Sequence, residues 1–198
     1  MPRIDLSEPY AVRLARQSVR DSLMSHGEEC ILIHLYHVPE VEDSVPRCPF
    51  CFDDVYSQSD QYDCPQCYGT TFDGGISFAY RAWGIFGDAL DKETTGKRGV
   101  WHPVERTLQT EPFPDMWKRD FVVRVEGWTP DHRPTGVEGI YVFDEVNNEN
   151  IRTGNHFGTD QLHPLGQTAD LQKVSDKMPI YKFPIVGRQF HRFDGRER

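Results

Sequence analysis

The chain has 198 residues, enough for one domain carrying an insert or for two small ones, and the first arrangement is the expectation. Hydrophobic residues make up 37% and no run approaches the roughly 20 apolar residues that a membrane-spanning helix needs, so no membrane association is expected. A formal net charge of -9 argues against strong sequence-independent binding to nucleic acid, whose backbone rewards positive patches.

The N-terminal residues carry no apolar stretch ahead of Asp5 and Glu8, so a secretory signal is not expected. Synthesis in a reducing cytoplasm follows, where five cysteines serve as thiols or metal ligands rather than disulfides. Ser7 and Pro9 predict the start of a helix, Tyr10, Leu14, Val19 and Leu23 its apolar face, and Gly27 its stop. Arg13, Arg16, Arg20 and Asp21 then face water. A strand is predicted from Cys30 to Val38. Residues 39–73 hold the paired cysteines and little that can pack, and read as an insertion between that strand and the next, Ile76 to Phe86.

Residues 87–118 carry Gly87, Gly96, Gly99, Pro103, Pro112 and Pro114 and read as a long loop with one short strand near Val100-Trp101. Further strands are predicted at Phe121 to Val125, Ile140 to Val146 and Asn150 to Thr153, with Asn147-Asn148 as a turn between the last two. The stretch Gln167 to Val174 fits either a short helix or a strand. Ile180 to Ile185 alternates like a strand whose Pro184 marks an edge or an end, and an arginine-bearing tail follows. The fold class read from this pattern is mainly β: a small β-barrel or sandwich with an N-terminal helix and a four-cysteine zinc-ribbon insertion. Its parts are residues 1–38 (helix and first core strand), 39–73 (ribbon insertion), 74–186 (barrel core with loop 87–118) and 187–198 (basic tail).

Cys48-Pro49-Phe50-Cys51 and Cys64-Pro65-Gln66-Cys67 are two C-P-x-C pairs separated by twelve residues. Two residues between cysteines let both sulfurs of one turn reach the same tetrahedral ion, so Cys48, Cys51, Cys64 and Cys67 are the candidate metal ligands. Zinc is the expected ion, a rubredoxin-like iron remains open, and the alternatives to a metal are two disulfides or four reduced bystanders. Four thiolates leave no open coordination position, which makes the site structural. The insertion carries Glu40, Glu42, Asp43, Asp53, Asp54, Asp60 and Asp63 against a single Arg47 and reads as a protein-contacting or architectural knob. Cys30 reads as a buried core thiol.

The eight histidines form no H-x-x-x-H or H-E-x-x-H, and His34 and His37 read as core or surface residues. Asp115, Asp120, Asp131 and Asp144 are scattered without acid/base spacing. No G-x-S-x-G, phosphate loop or dinucleotide fingerprint occurs, so no enzymatic activity is expected. Trp83, Trp101, Trp117 and Trp128 read as packing residues, since no basic cluster interleaves with them.

The segments Trp101-His102-Pro103-Val104-Glu105, Glu111-Pro112-Phe113-Pro114-Asp115, Arg119 to Val125, Asn150 to Asn155 and Pro179 to Pro184 resemble the head-to-tail connector (stopper or closure) proteins of tailed bacteriophages that infect actinobacteria. The resemblance runs over roughly residues 74 to 186 and extends to the Cys64-Pro65-Gln66-Cys67-Tyr68-Gly69-Thr70 stretch of the ribbon. It implies a small β-barrel virion protein, made in the host cytoplasm and built into the head-tail junction. Such a protein forms a homo-oligomeric ring that contacts the portal or adaptor on one side and a tail-tube or tail-terminator protein on the other, and lets DNA pass without reading its sequence. The acidic balance suits such a conduit. The competing readings are a zinc-ribbon nucleic-acid-binding or regulatory protein, and a metal-assisted hydrolase built from scattered His and Asp residues.

Overall fold

The computed structural model describes residues 9–37, 44–53, 58–59, 64–88, 94–96, 99–101, 106–153 and 161–192. In chain order these form α1 (Tyr10–His26), β1 (Glu28–Leu35), β2 (Phe52–Asp53), β3 (Gln58–Ser59), β4 (Ile76–Asp88), β5 (Thr94–Gly96), β6 (Gly99–Trp101), β7 (Arg106–Thr110), β8 (Phe121–Trp128), β9 (Pro134–Thr153) and β10 (Gln161–Lys173). The protein is mainly β, as its alternating and β-branched segments imply. Strands β1, β4, β7, β10, β9 and β8 close, in that order, into an antiparallel barrel. Closure removes the exposed sheet edges that otherwise invite aggregation.

Both faces of the wall around β1 are buried, and alternation assigns them. Cys30 and Leu32 of β1 point inward with Val122, Tyr141, Phe143, Leu108, Ala169 and Leu171, so that all the other pairing strands but β4 give buried residues to this interior; β4 adds Phe78, Ala82 and Phe86, partly buried. Ile31, Ile33 and Leu35 point the other way with Phe121, Val123, Val125 and Ile140, and the chain's last described segment covers them through Val174, Ile180, Ile185 and Phe190. Burying Phe190 makes part of the expected tail a piece of this outer core. Arg192 likewise bridges to Arg81 of β4.

Several local expectations are corrected. In α1 the buried residues are Val12 and Leu23, while Tyr10 and Leu14 are 71% and 54% exposed. Arg16, expected in water, is partly buried: its Nε donates to the Pro164 carbonyl (2.7 Å), beside a register shift in the β9–β10 ladder, and its guanidinium lies over Phe113. Gly27 does end the helix, its N–H donating to the Leu23 carbonyl (2.8 Å); Ser7 lies outside the described residues. The strand expected to reach Val38 stops at Leu35.

The expected loop 87–118 contains a full barrel strand, β7, which pairs with both β4 and β10. Its glycines and prolines flank that strand rather than abolish it. The small β5–β6 hairpin includes the short strand expected near Val100-Trp101. Asn147-Asn148 is no turn: the pair lies inside β9, opposite Thr168 and Gln167. The undecided stretch from Gln167 belongs to β10. Ile180 to Ile185 is not a strand either, because Pro179–Lys182 forms a 3-10 turn in which Tyr181 and Phe183 N–H groups donate to Met178 and Ile180 carbonyls. The alternation that suggested a strand arises because Tyr181, Phe183 and Ile185 pack on the barrel's outer wall while Lys182 and Pro184 are exposed.

Candidate metal centre

The ribbon insertion leaves the barrel after β1 and returns into β4, two strands that pair antiparallel along their length. Its base is closed by the Tyr36 N–H donating to the Gly75 carbonyl (3.0 Å). Two turns face each other. In one, Phe52 N–H donates to the Cys48 carbonyl (3.1 Å); in the other, Tyr68 N–H donates to the Cys64 carbonyl (2.9 Å). A third bond, from Cys48 N–H to the Thr71 carbonyl (2.8 Å), ties the turns together.

All four cysteines of these turns are buried and none is in a disulfide. Their sulfurs lie within 4.8 Å of one another. Cys48 and Cys64 Sγ are 3.9 Å apart, and Cys51 and Cys67 Sγ 3.4 Å. A tetrahedral ion with metal–sulfur bonds of about 2.3 Å sets its sulfurs about 3.8 Å apart, so the donor set and spacing fit a metal such as zinc. Burial acts to raise the Cys64 thiol, but the N–H groups of Cys67 and Gln66 and the Cys51 and Cys67 thiols outweigh it and hold Cys64 below its ordinary value. For Cys67 burial prevails and the thiol is raised, against the Cys51 thiol and the N–H groups of Thr71 and Gly69. Backbone donors aimed at sulfur are the environment a thiolate–metal cluster needs.

The turn needs unusual backbone. Tyr68, Gly69, Thr71, Gly74 and Gly75 all have positive φ. At Gly75 a Cβ would meet the Cys67 carbonyl oxygen at 2.3 Å, so this glycine lets the return strand pass directly under the second turn. Arg47 lies over the rings of Phe72 (4.3 Å) and Phe52 (4.9 Å) and donates to Thr71 Oγ1 (3.0 Å). Phe72 is fully buried and meets Tyr36 edge-on, and Tyr68 reaches the outer core beside Phe183. Phe50, between Cys48 and Cys51, is 73% exposed.

A second cluster, which sequence reasoning dispersed, lies at the root of the ribbon. His34 Nδ1 is 2.6 Å from Asp120 Oδ2, and His37 Nε2 is 2.9 Å from Asp120 Oδ1. The Asp120 carboxylate also accepts the N–H groups of Leu35 (3.0 Å) and Trp117 (2.7 Å). It is fully buried, as His34 nearly is, while His37 is partly open. Burial acts to raise the Asp120 carboxyl, yet the hydrogen bonds from His34, His37 and Leu35 and the charge of His34 hold it below the ordinary carboxylate range. The signal that could have found this triad is register: the ladder pairing Ile33 with Phe121 sets His34 opposite Asp120.

The other residues singled out disperse. Asp115 and Asp144 line an open groove of about 640 Å³ with Trp117, Lys118 and Glu145, and Lys118 pairs with Asp144 (2.8 Å). Trp117 packs on His37, and Trp128 on the outer core. Cys30 is the buried thiol expected, and burial first, then the nearby Glu28 and Glu29 charges, pushes it far above its ordinary value. No helix of the described residues is long and apolar enough to cross a membrane.

Fold and site together define a mainly β protein with one N-terminal helix and a four-cysteine cluster able to bind a metal. No protein-family model and no curated protein matches the chain.

Proposed function

We propose that the protein is a non-enzymatic structural component of a phage virion, a connector or stopper ring at the head-tail junction, braced by one structural Zn2+ on Cys48, Cys51, Cys64 and Cys67. The observation that carries this reading is a closed barrel bearing added pieces that lie outside its six-strand ring. These are the cysteine ribbon, the β5–β6 hairpin, and the far end of the β9–β10 hairpin, where Gln161–Gly166 pairs only with Glu149–Thr153 among the described residues. The six-strand ring has no free edge for strand addition, whereas these added pieces are two-stranded with open edges among the described residues, and they are the surfaces this reading assigns to assembly. Head-to-tail contacts between copies, each subunit's projection on its neighbour's barrel, close a cyclic ring. The ring meets the portal or adaptor on one side and a tail-tube or tail-terminator protein on the other, with DNA passing through.

The competing nucleic-acid reading has little support in the ribbon, whose single basic residue, Arg47, is stacked against Phe72 and Phe52. Electron microscopy of particles carrying a tagged copy tests the proposal: density of the tag should sit at the head-tail junction. Particles that lack the protein yet still retain DNA and join tails would overturn it.

A further inference from the structure

We propose that His34, His37 and Asp120 form a second metal site, distinct from the four cysteines, suited to a borderline divalent transition metal such as Zn2+. Three observations lead there. The three ligand atoms lie within 4.8 Å of one another, on residues 83 and 86 positions apart that the β1–β8 register brings opposite. The set is two imidazoles and one carboxylate, donors common to zinc, iron and copper proteins. The carboxylate is also held in place by backbone donors, Leu35 and Trp117 N–H, which remain bonded to it when a metal takes the remaining lone pairs.

The rings are oriented as well. His34 stacks on Phe78 at 4.5 Å and 17°, and Trp117 packs against both imidazoles. The N–O distances of 2.6 and 2.9 Å are those of proton-bridged pairs. An ion bonded at about 2.1 Å to each ligand needs those atoms about 3.0–3.4 Å apart, so loading requires His34 to part from the carboxylate by about 0.4–0.8 Å and His37 by about 0.1–0.5 Å. His37 lies just past the end of β1 and is 16% exposed on its side chain, so it is the ring with room to move. The ion binds through the lone pair of the ring nitrogen that faces Asp120, so a proton on that nitrogen leaves it, for the other ring nitrogen of a neutral imidazole or for solvent from a protonated one. Near-complete burial of His34 and Asp120 leaves little space for a substrate, so the ion braces the point where the ribbon joins the barrel rather than activating water.

Metal content of the full-length protein, purified with zinc and dialysed into metal-free buffer, is the first measurement. Wild type should hold two zinc ions per chain, His37→Ala one, and His132→Ala, in a distant turn, two. A site too weak to survive dialysis is read by adding Co2+ to protein whose cysteine site is filled with zinc. Weak visible cobalt bands without thiolate charge transfer should appear in wild type and be lost in both His37→Ala and Asp120→Asn. His37→Ala removes a partly exposed side chain and should keep one zinc and the wild-type circular dichroism, which separates loss of the site from loss of the fold. One zinc per chain in wild type together with no cobalt bands overturns the proposal and leaves a hydrogen-bonded triad.

Discussion

Gly74 and Gly75 are adjacent, both have positive φ, and their substitution should separate two physical effects. A Cβ on Gly74 meets nothing within 4 Å, so Gly74→Ala carries only the backbone cost, about 1–2 kcal/mol. A Cβ on Gly75 runs into the Cys67 main chain, which no rotamer change relieves, so Gly75→Ala should cost about 2 kcal/mol more than its neighbour and displace a metal-bearing turn. Competition with a chelator reads this directly: metal should leave Gly75→Ala many times faster than Gly74→Ala. The cysteines give a second residue-scale prediction, because thiolate is the form that alkylates and burial holds Cys30 as a thiol. Chelation removes the ion that ties the two ribbon turns together and opens them to solvent, so the otherwise native protein should then take up iodoacetamide at the four ribbon cysteines, and at Cys30 only in denaturant; mass spectrometry of the labelled peptides checks both. The ribbon ligands were legible in the sequence because each pair sits on one local turn, with its chemistry contained in four consecutive residues. His34 and Asp120 were not, since nothing within ten residues of either announces the other; only the β1–β8 ladder does.

Among the elements, the least legible was the segment between β7 and β8, which proline and glycine marked as a loop. One side chain holds much of it. Gln167 of β10 is buried, its Nε2 donates to the Glu111 and Pro114 carbonyls (2.9 and 2.8 Å), and its Oε1 accepts the Met116 N–H (2.9 Å). Gln167→Ala strands two buried polar groups and one part-buried one on the segment and should destabilise the protein by about 2–4 kcal/mol, measured by urea unfolding. A hydrophobic truncation of similar size in the same barrel, Ile140→Ala, should cost a comparable amount, about 2–5 kcal/mol, through its cavity but leave the 111–116 segment's amide protection intact, whereas Gln167→Ala should lose it. The same elements explain the misread turn at Asn147-Asn148. Asparagine is a turn former by local preference, but at these positions the strand partners Thr168 and Gln167 decide its conformation. Short-range chemistry predicted the strands whose apolar runs are dense, β1, β4 and β8, but missed β7 and left β10 undecided, since the identity of these two comes from the partners they pair with.

For the whole molecule, charge makes the sharpest demand. The formal net charge is -9, and four thiolates around one divalent cation add -2, giving -11 for the chain with its cysteine site filled. In the proposed ring, such chains would surround any DNA in the channel with like charge, which lowers friction at the cost of affinity. At moderate ionic strength the protein should therefore give no gel shift with duplex DNA of any sequence, while a zinc-ribbon nucleic-acid binder would shift it with an affinity that falls steeply as salt rises. The same repulsion acts between neighbouring subunits of a ring, and ion pairing at the rim sets how strongly. If the projections carry the contacts, raising ionic strength should screen that repulsion and favour larger assemblies, whereas an assembly held by ion pairs would dissociate. Light scattering coupled to size-exclusion chromatography across a salt series distinguishes the two. A monomer at every salt concentration and protein concentration tested would show that ring formation needs the portal or tail partner as a template, and would move the expected assembly from the isolated chain to the particle.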